Sequence, residues 1–264
     1  MEVAILGGSG KTGRAVGAAL ARVGVATRPL GRAAFADLPS SLSAALAGAD
    51  AVHVIAPNLH PDEPGLVAAA LAAARAAGIA RVTYHSVASP YVPAMPHHLG
   101  KAVAEDLVRR SGLDWTLLQP CAYAQNLLPA ARAAATTGHL DVPYAVDRPF
   151  GLVDLDDVAE ATAVVLTRPG HAGATYELGG PALVTVAELA AALGATARRI
   201  EPAADEHPWL RAMFAYYDDH GLPTGGVPLA ALLGRSPRPA ADVLAGRSCQ
   251  PCPPALAVPD DERP

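Results

Sequence analysis

The sequence predicts an α/β fold, a doubly wound parallel sheet with helices on both faces and a small mixed C-terminal lobe. Three observations support this prediction. A short apolar run at residues 3–6 is followed by a cluster of glycines and then by a helix-like pattern. Strand-length apolar runs and helical segments then alternate to about residue 120, as in βαβ units. With 264 residues, 51% of them hydrophobic, the chain can enclose a sizeable core.

A glycine cluster separates the first predicted strand from the first predicted helix, whose apolar residues recur at helical spacing over residues 14–23. In a dinucleotide site such glycines permit a tight turn, close approach of the pyrophosphate and close packing of helix on strand, with the phosphates at the helix N-terminus. The alternative is a tight turn without a ligand. We expect a cofactor-binding loop formed by Gly7, Gly8, Ser9, Gly10, Lys11, Thr12 and Gly13.

The second predicted strand, at residues 23–29, bears on which dinucleotide is bound. In NAD sites an acidic residue about 20 positions after the glycine loop binds the ribose 2′-hydroxyl. No acid occurs from Arg14 to Phe35, and Arg28 and Arg32 stand there instead. Because a guanidinium attracts a 2′-phosphate, the sequence favours NADP over NAD, with both arginines as ligands. The alternative is that both are solvated surface residues.

Two further strands end where a ligand is expected. The strand at residues 51–55 is followed by Ala56 and Pro57, and the strand at 115–120 ends at Pro120. Ligands of doubly wound folds bind outside the carboxyl ends of the strands. We therefore expect Ala56, Pro57 and Pro120 to contact the cofactor.

Polar side chains with possible catalytic roles stand between and after these strands. Ser86 lies near the end of a strand predicted at residues 81–87. His97 and Lys101 are four residues apart on a predicted helix and share one face. Tyr123 and Asn126 follow in the next loop. We expect Ser86, His97 and Lys101 to be catalytic, with Ser86 and Lys101 also contacting the cofactor, and Tyr123 and Asn126 to line a substrate pocket.

Beyond residue 150 the alternation of strands and helices is less regular. We expect a short strand at residues 150–154 and a helix over 158–167 with Asp156 as its N-cap. Thr185 and Glu188 stand in capping-box spacing at the start of another helix. The other elements predicted here are a strand at 175–178 and helices at 207–220 and 227–233.

The chain is expected to divide into three parts. Residues 1–150 form the dinucleotide-binding core, and residues 151–245 form a C-terminal substrate lobe interleaved with it. Proline enrichment and an acidic end predict a disordered tail at 246–264, in which Cys249 and Cys252 are free thiols rather than a metal or redox pair.

Composition excludes several functional classes. The net charge is −5 and no basic run occurs, which disfavours nucleic-acid binding. No apolar stretch is long enough to span a membrane, and no signal peptide can be read. Three cysteines do not make a disulfide framework, so we expect a cytoplasmic protein without a metal site.

Four segments together resemble the NmrA-like family, an atypical branch of the short-chain dehydrogenases/reductases with NAD(P)-binding Rossmann folds. They are GGSGKTG at residues 7–13, HHLGKAVAE at 97–105, SGLDWTLLQP at 111–120 and VDLDDVA at 153–159. The resemblance covers about residues 1–245. It implies a Rossmann domain, a small C-terminal lobe and NAD(P)(H) binding, usually with a preference for NADP.

The resemblance leaves two functional classes open. Some members of the family reduce quinones, enones or carbonyl compounds with NADPH, whereas others bind the dinucleotide without turnover and hold a partner protein. Ordinary short-chain reductases use a Tyr-x-x-x-Lys pair with a serine; here His97 stands at the tyrosine position, Lys101 matches the lysine and Ser86 corresponds to the serine. We expect an NADPH-dependent oxidoreductase acting on a small molecule, with His97 supplying a proton near neutral pH. The alternative is an NADP(H) sensor with a protein partner.

Overall fold

The fold is that of a computed structural model, which describes residues 1–31, 34 and 40–247. Its main sheet has the order β2-β1-β3-β4-β5-β7, and every pairing in it is parallel. Strands β6 and β8 form a separate parallel pair. The strands are β1 (Glu2–Leu6), β2 (Ala26–Leu30), β3 (Ala51–Val54), β4 (Arg81–His85), β5 (Asp114–Pro120), β6 (His139–Val142), β7 (Ala174–Leu178) and β8 (Thr196–Arg199).

Helices cover both faces of the main sheet. One apolar core joins the sheet to α2, α3 and α4, and another joins it to α1 and α6. The helices are α1 (Lys11–Arg22), α2 (Ser40–Leu46), α3 (Glu63–Ala76), α4 (Pro96–Arg109), α5 (Leu128–Thr137), α6 (Leu155–Thr167), α7 (Val186–Ala192), α8 (Pro208–His220), α9 (Val227–Leu233) and α10 (Ala240–Leu244), with a 3₁₀ turn at Ala124–Leu127. The doubly wound fold predicted from the sequence is confirmed.

The central strands are apolar because helices cover them on both sides. All four residues of β3 are buried, as are the last four of β1. The order of the strands reverses between β1 and β3, which opens a crevice at the carboxyl ends of these two strands. A ligand site is therefore expected at this edge.

Two predictions for the C-terminal half are wrong. Residues 150–154 do not form a strand, because Phe150 and Val153 make only single bridges, to Val184, Leu222 and Tyr123. The N-cap of α6 is Asp154 rather than Asp156, since the Asp154 carboxylate accepts the Asp156 N–H and the helix begins three residues earlier than predicted.

The pair formed by β6 and β8 was not predicted from the sequence. Each strand has only four residues, and β8 ends in two arginines. β8 is almost entirely polar, and β6, although its residues alternate, is only as long as the shortest alternation that indicates a strand. By contrast, the capping box of α7, formed by Thr185 and Glu188, is confirmed.

Some predictions lie outside the described residues. Arg32 is one of them, and so are Cys249, Cys252 and most of the tail. The division into a core and a lobe stays a prediction. In the part of the chain that the structure describes, no helix combines the length and the apolar character that crossing a membrane requires.

Candidate functional site

A cavity of about 550 Å³ lies at the carboxyl edge of the sheet. It extends from the glycine turn after β1, past the ends of β3 and β4, to the loop after β5 and to helix α8. Most of the predicted site residues line it together: Gly7, Ser9, Gly10, Lys11, Thr12, Gly13, Ala56, Pro57, Ser86, His97, Lys101, Pro120, Tyr123 and Asn126.

The glycine turn explains why its glycines are needed. Gly7 has φ +80°, and a Cβ added there would lie 2.4 Å from the Ile55 carbonyl oxygen. A Cβ at Gly13 would lie 2.4 Å from the Gly7 oxygen, so Gly13 allows α1 to pack on the turn. A Cβ at Gly10 would meet only the Gly7 oxygen, at 3.2 Å. Gly10 thus has more room for a Cβ than Gly7, Gly8 or Gly13.

The N-terminus of α1 is suited to an anion. Gly10 is its N-cap, no side chain caps it, and its first turn contains no acidic residue. The first N–H groups of a helix lack intrahelical partners, and the helix dipole adds partial positive charge there. A pyrophosphate placed in the cavity would therefore fit this end.

Gly8 and Arg28 are not brought to the cavity. Gly8 packs against Pro29, where an added Cβ would lie 2.7 Å from the Cα, so its role is in the turn itself. Arg28 donates to both carboxylate oxygens of Glu2 and to the carbonyl oxygens of Ala45 and Ala47. Because these partners occupy its guanidinium, the structure argues against the predicted role of Arg28 as a 2′-phosphate ligand.

Lys101 is held by a buried acid that sequence reasoning missed. Its Nζ lies 2.8 Å from Oε1 of Glu63, a residue only 2% exposed at the start of α3. Tyr84 donates to the same oxygen, and the carbonyl oxygen of His85 lies 3.4 Å from Nζ. Lys101 therefore brings to the cavity a positive charge whose counter-ion lies behind it.

Ser86 faces a second buried acid, Glu105. The Ser86 hydroxyl donates to Oε1 of Glu105, and the Gln119 amide donates to the same atom from β5. Arg109 pairs with the other carboxylate oxygen. Since its hydrogen is used in this bond, Ser86 can offer the cavity a lone pair rather than a proton.

His97 lies at the cavity wall near helix α8, with its ring stacked on that of Trp209. Burial, together with the charge of Lys101 and the neighbours His98 and His207, lowers the pKa of His97 to about 3. Its ring is therefore neutral near pH 7. This argues against the expectation that His97 supplies a proton as an imidazolium.

Tyr123 and Asn126 lie beside the glycine loop. The Lys11 ammonium donates to Oδ1 of Asn126 at 2.9 Å and lies 5.5 Å from the centre of the Tyr123 ring. The Tyr123 hydroxyl is 2.7 Å from Nε2 of His85, the last residue of β4. Burial, the neighbour His53 and the charge of Lys101 hold the pKa of His85 well below its usual value.

The sequence analysis missed several residues of the cavity wall. His85 could have been found, since it precedes Ser86 at the end of β4. Two residues come from α8, whose position no local pattern reveals. The missed residues are Ile55, Leu59, His85, Val87, Cys121, Leu210 and Met213.

Comparisons with known proteins agree with this architecture. A model described as the NmrA-like family matches residues 32–199. Over 163 residues the chain is 36% identical to an NAD(P)H azoreductase of Xenophilus azovorans, a match covering 61% of this chain and 56% of that enzyme.

A second relative is a (4-alkanoyl-5-oxo-2,5-dihydrofuran-3-yl)methyl phosphate reductase of Streptomyces griseus subsp. griseus, 31% identical over 208 residues and 72% of each chain. Among solved structures, the NADPH-dependent quinone oxidoreductase of Escherichia coli complexed with NADPH superimposes with a TM-score of 0.79 at 23% identity. That superposition covers 92% of this chain and 99% of the other.

Proposed function

Since this chain belongs to the NmrA-like family, we propose that it is an NADPH-dependent oxidoreductase that reduces a small quinone, enone or carbonyl compound. The observation that carries this proposal is the continuity of the cavity. One space joins an uncapped helix N-terminus, which suits phosphates, to the buried cluster around Lys101. The similarity of the chain to an azoreductase and to a furanone methyl phosphate reductase supports it.

The glycine-loop end would hold the pyrophosphate, with Gly10 giving the phosphates room and Ala56 and Pro57 beside the adenine ribose. NADP is preferred over NAD because no acid occurs from Arg14 to Phe35, which includes β2 and the five residues after it. Arg14, which donates to the Ser9 carbonyl oxygen, replaces Arg28 as the guanidinium beside this part of the cavity.

At the Lys101 end of the cavity, the residues stabilise the charge that develops on the substrate and orient the reactants. When bound, the cofactor supplies a hydride. Lys101, fixed by Glu63, would hold the nicotinamide ribose and present its positive charge where a substrate oxygen becomes negative. Ser86 accepts a hydrogen bond, while the neutral His97 ring forms part of the wall with Trp209.

The wall opposite is mostly apolar. Val87, Leu210 and Met213 line the same cavity as His97 and Tyr123. Apolar walls with a few convergent polar groups suit a small hydrophobic compound with one reducible oxygen, such as a quinone or an enone. Tyr123 and Asn126 border the same space.

The test is to follow NADPH absorbance with a panel of quinones, enones and ketones, after measuring NADPH and NADH affinity by calorimetry. We expect tight NADPH binding and turnover with at least one acceptor. Lys101→Met should weaken NADPH binding. It should also lower the rate at saturating NADPH, because Lys101 stabilises the charge on the substrate oxygen. If Lys101 were used only for cofactor binding, saturating NADPH would restore the rate. Tight binding without turnover of any acceptor would contradict the enzyme and favour an NADP(H) sensor with a protein partner.

A further inference from the structure

The reduction proposed above needs a proton as well as a hydride. None of the three side chains expected to be catalytic is a good proton donor. His97 is neutral and stacked on Trp209, and the Ser86 hydrogen is bonded to Glu105. Lys101 could release a proton only by leaving the buried Glu63 without its counter-charge, which is costly. The proton must therefore come from another group on the cavity wall.

Tyr123 is the tyrosine on this wall among the described residues. It stands on the loop after β5, and its hydroxyl is 2.7 Å from Nε2 of His85. His85 also lines the cavity, and its ring meets that of His53 edge to face at 5.6 Å. The hydroxyl thus lies between a buried imidazole and the open space in which a substrate would bind.

The tautomer of His85 follows from its other nitrogen. Nδ1 of His85 is buried and has no hydrogen-bond partner, and the ring is neutral. Among buried groups, an N–H without an acceptor is rarer than an acceptor without a donor. The hydrogen therefore belongs on Nε2, where it is donated to the Tyr123 oxygen. The hydroxyl hydrogen of Tyr123 then points away from His85, towards the cavity and the side chain of Thr12, which also lines it.

We propose that Tyr123 is the proton donor of the reduction and that His85 is the residue that positions it; this inference rests on the proposed function. As NADPH delivers hydride to the substrate carbon, the Tyr123 O–H bond breaks and a new O–H bond forms on the substrate oxygen. The electron pair of the broken bond stays on the phenolate, which accepts from Nε2–H of His85. A proton from water restores the tyrosine.

The surroundings fit this role. Burial raises the pKa of the Tyr123 hydroxyl, so it keeps its proton throughout the physiological range. The phenolate left behind would face cationic Lys11 from α1 and the Nε2–H of His85 from β4, with His53 and Lys101 lying around His85. These neighbours supply a positive charge and a donor to the group that becomes negative.

The experiment compares Tyr123→Phe with Tyr144→Phe, which removes a hydroxyl from a partly buried aromatic cluster away from the cavity. Tyr123→Phe keeps the ring, so NADPH affinity measured by calorimetry should be unchanged. Its kcat with a ketone or enone should fall about 100-fold, a typical value for a lost general acid. The fall should be smaller with a quinone, because a hydroquinone anion is a weaker base than an alkoxide. Tyr144→Phe should behave as the wild type.

Two further measurements separate proton donation from packing. The wild-type rate should not vary between about pH 6 and 9 on account of Tyr123. The residual rate of Tyr123→Phe should fall as pH rises, because hydronium, whose concentration falls with pH, must then supply the proton. His85→Leu should lower kcat about tenfold. His85→Gln keeps an N–H donor and should retain most of the rate.

The outcomes distinguish this inference from the proposed function. If the wild type turns over a substrate and Tyr123→Phe does so at the same rate, the inference is wrong and the proposed function stands. A loss in Tyr123→Phe that follows weaker NADPH binding, with no change in the pH profile, also overturns it. If the wild type binds NADPH but reduces nothing, the proposed function fails and the inference fails with it.

Discussion

The two ends of the cavity are built in different ways. The glycine-loop end comes from one continuous segment, residues 7–13, and its shape depends on backbone atoms that a single Cβ would strike. The other end comes from side chains on β4, α4, the loop after β5 and α8, which are distant in sequence. Its polar groups are held by buried partners, Glu63 behind Lys101 and Glu105 behind Ser86.

This difference shows which structural constraints can be recognised within one short segment of the sequence. Close backbone approach can be met only by glycine, so it appears as a spacing of glycines within one segment. A charge held by a buried counter-ion appears as two ordinary residues far apart, such as Lys101 and Glu63, which are 38 positions apart. Single substitutions of the glycines should therefore disrupt the first end. The geometry of the second end depends on pairs of interacting side chains.

The largest expected effect tests the backbone-built end. In Gly13→Ala the new methyl group would lie within 2.5 Å of backbone atoms of both Gly7 and Gly8, which cannot move without displacing α1 or β1. We expect a loss of about 3 kcal/mol in the free energy of unfolding, as for severe overpacking. NADPH binding should be lost as well. Urea denaturation and calorimetry measure the two effects.

Two neighbouring glycines give the controls for Gly13→Ala. Gly10→Ala should lose less stability than Gly13→Ala, because its one close contact is with the Gly7 oxygen at 3.2 Å. It should bind NADPH about tenfold more weakly, since the methyl group faces the phosphates. Gly17→Ala in the same helix makes only ordinary contacts, at 3.8 Å and beyond, and should be neutral or slightly stabilising. Equal stability of all three variants would contradict the account of the turn.

The same contrast explains how far the sequence predicted the molecule. The doubly wound fold and the capping box of α7 depend on local patterns and were predicted from the sequence. Gly10 and Gly13 likewise lie where their spacing indicated. Arg28 was assigned from its position near the end of β2, but its contact with Glu2 depends on the pairing of β1 and β2. The pair that holds Lys101 became visible only once α3 and α4 were packed together, and the pair that holds Ser86 only once α4 was packed against the end of β4.

Buried histidines near the side-chain-built end should make the free energy of unfolding depend on pH. His53 is fully buried, and its pKa is lowered to about 3 by burial. An unfolded histidine titrates near pH 6.5. Between these values the unfolded chain binds more protons than the folded one, so stability should fall as pH falls below about 6.5. His85, His97 and His98 shift in the same direction.

His53→Leu should remove its share of this dependence. From pH 7 to pH 5 the variant should lose about 2 kcal/mol less stability than the wild type, from a linkage of about 1.4 kcal/mol per pH unit below pH 6.5. Urea denaturation at a series of pH values measures this difference. Above pH 7 the two stability curves should run parallel, which serves as the internal control. Parallel curves down to pH 5 would show that His53 becomes protonated in the folded protein.

The smallest expected effect concerns Arg28, which was expected at the glycine-loop end and lies outside it. Its guanidinium joins β2 to Glu2 at the start of β1 and to the end of α2, in a half-buried position. Arg28→Met keeps the aliphatic stem and should cost about 1 kcal/mol of stability, the scale of a partly exposed ion pair. Because its bonds are all within the protein, affinities for NADPH and NADH should both stay unchanged.

The matched variant is Arg14→Met, which removes the guanidinium beside Ser9. Arg14 is exposed, so its replacement should leave stability unaltered. If it faces the 2′-phosphate, NADPH affinity should fall by about tenfold, the scale of one charge-assisted hydrogen bond, while NADH affinity holds. Calorimetry with NADPH and with NADH gives the ratio of variant to wild-type affinity for each dinucleotide. If Arg28→Met selectively lost NADPH binding and Arg14→Met did not, Arg28 would be the ligand of the 2′-phosphate. Its hydrogen bonds to Glu2 would then have to break when NADPH binds.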